Sequence, residues 1–555
     1  MRRGRSGERF PAGPLRGATF GPPRPPARYA RGRSSSRSGA ATGHPRTMLD
    51  LIRATQRAVC NLTSRHRPRL AVLGDLRSSQ LRANLRGLIE GPASRLRGRV
   101  AVTAAPVPSS GAPPEVPGAP GQAAAPGLRP TRLEIVDIDD IPLEISSAHP
   151  AGGSYHALCL LVRVAGEPRG LVTLPFDGAA VLTAADIEPQ LRPIRARAAA
   201  VPPVPQLRAA PHVTVILCST FARLDGVRRC LDSLAALDYS AYDVVIVDNR
   251  AEPPALPAWL GAFPLVRVLH EPRPGLSAAR NCGLAAAQGE IVAFTDDDVV
   301  VDRGWLNAIA RRLEAHPDEA GVTGLILPAE LETEAQATFE EYYGGFGPRI
   351  FQPVSHRLKH PPGRGGLRRA TVAEVDDLGH ELGTFLLYEF GHLGTGANMA
   401  FRTRVLRERG GFDVRLGVGT PTQGGEDANM FVRLIWDGHS LGYDPAALVH
   451  HSHRRDDAAL RGQVATFGTS FTATLIALTL DDPRHLGAIT ATVPEGIRRM
   501  TRLFARRLRS EAPPDASRSP TSIAHPDLAR LELLSMLKGP AAYIRSWRRA
   551  RRPRS

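Results

Sequence analysis

Between Val213 and Asp298 short apolar runs alternate with amphipathic stretches, and this alternation restricts the fold more than any other feature of the chain. Val213-Thr214-Val215-Ile216-Leu217-Cys218 has no polar face, as expected of a strand covered on both sides. The next stretch places Val227, Cys230, Leu231, Leu234 and Leu237 at helical spacing, so it predicts a helix with one buried face. Val244-Val245-Ile246-Val247 and Leu265-Val266-Arg267-Val268-Leu269 read as the second and third strands. Leu276 to Ala287 reads as an Ala-rich helix, and Glu290-Ile291-Val292-Ala293-Phe294 as a fourth strand. The order β-α-β-β-α-β predicts an α/β fold: a Rossmann-like, mostly parallel sheet with helices on both faces.

The fourth strand stops at Asp296-Asp297-Asp298. Three carboxylates there repel one another and are costly to desolvate unless a cation joins them. A divalent cation, Mn2+ or Mg2+, carrying a phosphate-bearing substrate would meet that need. Ligands of open α/β sheets sit beyond the carboxyl ends of the strands. Ser219-Thr220 follows the first strand here and Asp248-Asn249 the second. In an extended segment Asp296 and Asp298 point the same way, as a metal pair, while Asp297 points elsewhere and can reach a ribose or sugar hydroxyl.

Gly275 to Gly283 is a small-residue helix start carrying Arg280 and Asn281. Arg280 suits either a phosphate or an ion pair with the acidic cluster. Gly394 to Arg402 reads as a glycine-hinged approach to a strand. Gly424-Gly425-Glu426-Asp427 opens a helix whose apolar positions include Met430, Phe431, Leu434 and Ile435. The helix dipole favours ionised acids in a first turn, and an ionised carboxylate at a cleft can act as a general base. Adjacent helical residues diverge by about 100°, so Glu426 and Asp427 take different roles. His450-His451-Ser452-His453 reads as a solvated turn or, beside the aspartates, as the source of a further metal ligand.

The net charge of +17 is concentrated in Arg-rich ends, which read as solvated arms or as contacts with an anionic surface. Cys60, Cys159, Cys218, Cys230 and Cys282 have no metal-like or disulfide-like spacing, which fits a reducing compartment. No apolar run reaches the roughly 18 residues expected of a membrane span, Phe467 to Leu480 being the nearest. The N-terminus has no secretory h-region, so the expectation is a cytoplasmic protein. Composition divides the chain into a disordered Arg/Pro/Gly-rich arm (1–47), a helical basic segment (48–100) and an Ala/Pro linker (101–130). A small β-rich module (131–196), the α/β domain (212–455) and a helical basic C-terminal region (456–555) follow. In the last, Ile497, Met500, Leu503, Phe504 and Leu508 share a helical face among arginines, suited to the inner face of an anionic membrane or to docking on the protein itself.

Taken in order, these segments resemble the family-2 glycosyltransferases of GT-A fold. The likeness runs from Val213 to about His453. It includes Val247-Asp248-Asn249, Gly289 to Asp298, Trp305-Leu306, Gly410-Gly411-Phe412-Asp413 and Gly425-Glu426-Asp427. The resemblance implies sugar transfer from a nucleotide sugar with inversion. Ser219 and Asp248 would contact the nucleoside, with Asn249 beside them, and Arg280 and Asn281 would lie near the nucleotide. Asp296 and Asp298 would hold the metal–diphosphate, and one of His450, His451 or His453, with His451 preferred, would complete the metal site. Asp427 would deprotonate the acceptor, oriented by Glu426. The Gln-x-x-Arg-Trp motif and membrane helices of processive members are missing, so a single addition to a glycan, lipid-linked or small-molecule acceptor is expected. The stretch 330–393 is longer than a minimal connection and would form a lid or acceptor pocket. A sugar-nucleotidyltransferase and a non-catalytic nucleotide-sugar binder are the alternatives; interleaved aromatics for nucleic acid are missing.

Overall fold

The computed structural model describes residues 130–198, 207–252, 255–360, 368–509 and 525–551, with the side chains of 500 and 502–509 excepted. The arm 1–47, the segment 48–100 and the linker up to residue 129 lie outside the described residues, as do Cys60 and the side chains of Met500, Leu503, Phe504 and Leu508.

Residues 131–198 form short strands packed on one helix. β1 (Thr131–Asp137) lies parallel to β3 (Ala157–Val164), which pairs antiparallel with β4 (Glu167–Pro175). β2 (Glu144–Ser146) pairs with β5 (Val181–Thr183), and α1 (Ala184–Ala198) buries Ile187, Leu191 and Ile194 in the same core.

The main sheet begins with β6 (Val213–Ser219), α2 (Leu224–Ala235), β7 (Tyr242–Asp248), β8 (Val266–His270), α3 (Leu276–Ala286) and β9 (Ile291–Asp296). Strand alternation splits its core in two. Val215 and Leu217 face α2 and its Val227, Cys230 and Leu231, whereas Ile216 packs with Ala279 and Leu284 of α3. β7 and β8 add outward from β6, and β9 returns to β6's other side; all these neighbours run parallel. The switch point between β6 and β9 is where such sheets open a crevice. Ser219 lies across from Asp248, and Cys218 across from Asp296, so the polar strand ends share one rim.

Beyond β9 the sheet becomes mixed. β10 (Val299–Val301) and α4 (Trp305–Ala315) lead to β11 (Glu319–Pro328) and α5 (Glu334–Tyr343). β12 (Val354–Leu358), β13 (Thr371–Val375), β14 (Glu381–Leu386), β15 (Asn398–Arg402), α6 (Thr403–Glu408), α7 (Glu426–Trp436) and β16 (Ser440–His451) complete it. β15 pairs antiparallel with both β9 and β11, β11 runs parallel to β16, and β12, β13 and β14 form an antiparallel meander. The described residues between 330 and 393 thus hold a helix and three strands, which short, polar-interrupted runs such as Val354-Ser355-His356-Arg357-Leu358 did not announce. Asn398 pins the centre: it accepts from Trp305 Nε1 at 2.9 Å and donates to the Leu325 and Ala447 carbonyls at 3.1 and 2.7 Å.

Two sequence expectations change. The strand ends at Asp296, and Asp297 and Asp298 lie in a turn, so the extended alternation does not apply to them. One helix, α8 (Asp457–Asp481), is also long and apolar enough to cross a membrane, although half of its apolar window is buried in the protein. Two of its hydroxyls bond to backbone carbonyls within the helix (Thr469 to Ala465 at 2.9 Å, Thr479 to Leu475 at 2.8 Å), which masks part of the polarity that the sequence suggested. α8 packs with α10 (Pro526–Met536) and α11 (Gly539–Ala550), while α9 (Arg484–Arg509) starts with His485 stacked on Trp436 at 3.9 Å.

Candidate active site

The acids of β9 and α7 meet through one buried cation. Arg280 on α3 is 2 % exposed. Its Nη1 donates to Glu426 Oε1 at 2.8 Å, and its Nη2 donates to the Gly396 carbonyl at 3.1 Å and approaches Asp296 Oδ1 at 3.4 Å. The same Gly396 peptide donates its N–H to Asp427 Oδ2 at 2.7 Å. A Cβ at Gly396 would stand 2.6 Å from Arg280 Nη2, so only glycine lets the guanidinium lie there. Gly425 enters α7 with φ +88°, and Thr474 of α8 donates to its carbonyl at 3.2 Å. A helix of the C-terminal region therefore braces the turn that presents Glu426 and Asp427.

Burial pushes the Glu426 carboxyl up to about 7, with Asp427 adding to the shift and Arg280 opposing it. The helix dipole alone predicted an ionised acid; for Glu426 desolvation outweighs it, and its Oε2 is buried without a hydrogen-bond partner. Burial likewise raises Asp296 to about 6, against the pull of Arg280.

Asp297 and Asp298 turn to other partners. Ser219 Oγ donates to Asp297 Oδ2 at 2.6 Å. Arg223, half-exposed, spans Asp297 at 3.0 Å and Asp298 at 2.9 Å. Sequence reasoning missed it; the only signal was an arginine in the turn between β6 and α2. Burial opposes ionisation of Asp298, but His451, Arg223 and Arg454 outweigh it and hold its carboxyl below the usual range. His451 Nε2 lies 3.4 Å from Asp298 Oδ1. The histidines are no solvated turn: His451 and His453 are 7 % and 5 % exposed, and burial lowers His451 to about 4, which keeps its ring neutral.

Of the remaining predicted residues, the two asparagines hold backbone groups and Asp248 pairs with a side chain. Asn249 donates to the Glu271 and Arg273 carbonyls, both at 2.7 Å, and accepts from Gly275 N at 3.1 Å, fixing the loop into α3. Asn281 uses both ends of its amide on the Phe412 backbone, at 2.8 Å each. Asp248 is buried and paired with Arg250 at 2.6 Å.

Donors bound to one cation at about 2.1 Å stand about 3 Å apart in octahedral geometry, so Asp298 Oδ1 and His451 Nε2 fit as a ligand pair. Asp296 lies on the Arg280 side. Among the described residues no group of three His, Cys, Asp or Glu is close enough to hold a metal ion unaided. Diphosphate oxygens and water would have to complete the shell.

An α/β sheet with paired acids at its switch point defines a nucleotide-type site. Residues 214–410 match the model of the family described as glycosyl transferase family 2. A pre-mycofactocin glycosyltransferase from Mycobacterium tuberculosis is 28% identical over 295 residues, 53% of this chain and 53% of that protein. The succinoglycan biosynthesis protein ExoM from Rhizobium meliloti is 26% identical over 257 residues, 45% of this chain and 69% of that protein. The chain therefore spans about half the length of the first of these relatives. A mannosyltransferase from Pyrobaculum calidifontis, solved with GDP-Man and Mn2+, is 17% identical over 63% of this chain and 94% of that one; the TM-score is 0.38.

The raised carboxyl of Asp296 has a consequence for stability. Its folded value, about 6, lies above an ordinary unfolded aspartate near 3.9. Its ionisation therefore weakens the fold as pH rises from about 4 through about 6. Asp296→Asn is expected to be more stable than the wild type by about 1 kcal/mol near pH 8 without metal, after discounting for its partial exposure, and equal to it near pH 4. Urea unfolding at the two pH values checks this; a destabilised variant near pH 8 would contradict it.

Proposed function

We propose that this protein is an inverting glycosyltransferase that moves one sugar per encounter from a nucleotide-sugar donor to an acceptor hydroxyl. The observation that carries the proposal is the Arg280 bridge, which keeps Asp296 and the Glu426–Asp427 pair on one crevice. Transfer with inversion needs a leaving-group site and a base on opposite sides of the anomeric carbon, and two acidic clusters around one opening supply both.

Ser219 and Asp248 line the nucleoside end, and Asp297, held by Ser219, lies within reach of ribose or sugar hydroxyls. Asn249 and Asn281 shape the loops around the nucleotide, while Arg280 orients the carboxylates. Asp298 and His451, with Asp296 nearby, hold Mn2+ or Mg2+; a bound cation supplies neutralisation of the departing diphosphate. Asp427 takes the acceptor proton, its carboxylate steadied by the Gly396 N–H. Glu426, whose carboxyl burial pushes up against the pull of Arg280, orients the acceptor. The family match favours transfer over nucleotidyl transfer or simple binding. Likeness to a succinoglycan biosynthesis protein supports a cell-surface glycan or glycolipid product.

Incubation with a panel of nucleotide sugars and Mn2+ should release nucleoside diphosphate with at least one donor, and chelation or Asp298→Ala should abolish release. Asp427→Asn should keep donor affinity and lose about 10²–10⁴-fold in transfer rate. Normal transfer by Asp427→Asn removes the base assignment; no donor binding with or without metal removes the enzyme reading.

We place the protein in the cytoplasm, with its basic C-terminal helices on the inner face of the membrane. Ile497 is 61% exposed on α9 among arginines, as a helix lying on anionic headgroups requires. Truncation after residue 495 should lower co-sedimentation with phosphatidylserine vesicles; unchanged co-sedimentation contradicts this placement.

A further inference from the structure

Behind His451 two more side chains form a line. His451 Nδ1 lies 3.3 Å from His453 Nδ1, and His453 Nε2 lies 2.7 Å from Glu340 Oε1. Glu340 reaches this position from α5, in the segment after β11. Burial opposes its ionisation, but Arg349 and the hydrogen bond from His453 outweigh that and hold its carboxyl below the usual range. A carboxylate accepts hydrogen bonds and donates none. Proton positions then follow in sequence. His453 must carry a proton on Nε2 to donate to Glu340. With that proton on Nε2, the Nδ1 lone pair of His453 accepts from His451 Nδ1. That leaves a lone pair on His451 Nε2.

His451 Nε2 faces Asp298 Oδ1 at 3.4 Å, longer than the 2.7–3.2 Å of an ordinary N–H···O bond. A lone pair opposite a carboxylate oxygen, with no proton between them, is an arrangement that a cation satisfies. The rings are held in this geometry by packing. Phe346 lies 4.6 Å from the His451 ring and 5.5 Å from that of His453, and Phe339 lies 4.8 Å from His453. The opposite proton order needs a charged His453 and puts a proton between His451 and Asp298, where the spacing is too long for a good hydrogen bond.

We propose that Glu340 and His453 are positioning residues that fix the Nδ1–H tautomer of His451 and so aim its Nε2 lone pair at the cation shared with Asp298. Metal-binding histidines commonly have their second nitrogen tied to a carboxylate; here an intervening histidine extends the tie by one ring. The inference rests on the metal-dependent reading above. It adds that the 330–393 segment contributes to the metal site through Glu340.

Nitrogen-15 NMR of the metal-free, histidine-labelled full chain reads the tautomer without activity. The expected wild-type spectrum has His451 protonated on Nδ1 and bare on Nε2. A wild-type His451 protonated on Nε2 overturns the proposal, whatever the variants do. His453→Phe, which keeps an aromatic ring among Phe339 and Phe346, and Glu340→Leu should each mix the two tautomers. Each should weaken Mn2+ binding, measured by calorimetry, about 10–100-fold. Glu340→Gln, which retains an acceptor oxygen, should recover much of that affinity. Folded variants with a wild-type tautomer and Mn2+ affinity overturn the proposal. Wild-type protein that shows the expected tautomer yet binds no Mn2+ leaves the relay standing and removes the metal-dependent reading instead.

Discussion

The candidate site depends on one buried guanidinium. Arg280 sits on α3 and reaches acids from two distant parts of the chain, Asp296 at the end of β9 and Glu426 at the start of α7. Burial alone would weaken its charge, but the two carboxylates more than restore it. Deleting one member of a buried pair typically costs about 3–5 kcal/mol, because the other charge is left unpaired. The glycine at position 396 and the left-handed turn at Gly425 follow from this constraint, since each clears space for the bridge or for the turn that meets it.

Acid is in excess over base around this bridge. Asp296, Glu426 and Asp427 surround one arginine, and Glu426 and Asp296 respond by holding their protons to about 7 and about 6. Asp297 and Asp298 have Arg223 to themselves, and Asp298 stays ionised. The three consecutive aspartates thus divide between two environments: one poised near neutrality beside Asp427, one charged beside a neutral histidine. A site that binds a cation and a diphosphate and also accepts a proton needs both kinds of carboxyl within one opening.

Much of this was legible in the sequence. The parallel strands, the helix faces and the polar strand ends follow from apolar periodicity, because buried strands and amphipathic helices leave a strong local pattern. Asp296, Asp298, Glu426 and Asp427 were visible because acids after apolar runs or glycine pairs stand out. What was not legible depends on long-range placement. The Glu426 end of the Arg280 bridge, the role of Arg223 and the reach of Glu340 to His453 join residues far apart in the chain, and no local pattern encodes such pairs. The meander after α5 was hidden because its strands are short and edge-like, mixing polar and apolar residues. The burial of His451 and His453 was hidden because β16 continues past its apolar run into the histidines. The turn at Asp297 ended the strand one residue before the alternation needed to place Asp298.

The most direct test of the account is the titration of Glu426 itself. Carbon-13 NMR of the side-chain carboxyl in the metal-free protein should give a midpoint of about 7, and Arg280→Met should move it higher, since the bridging cation is what opposes burial. A Glu426 that titrates near the ordinary 4.3 or so, or whose midpoint ignores the loss of Arg280, would contradict the claim that this bridge organises the site.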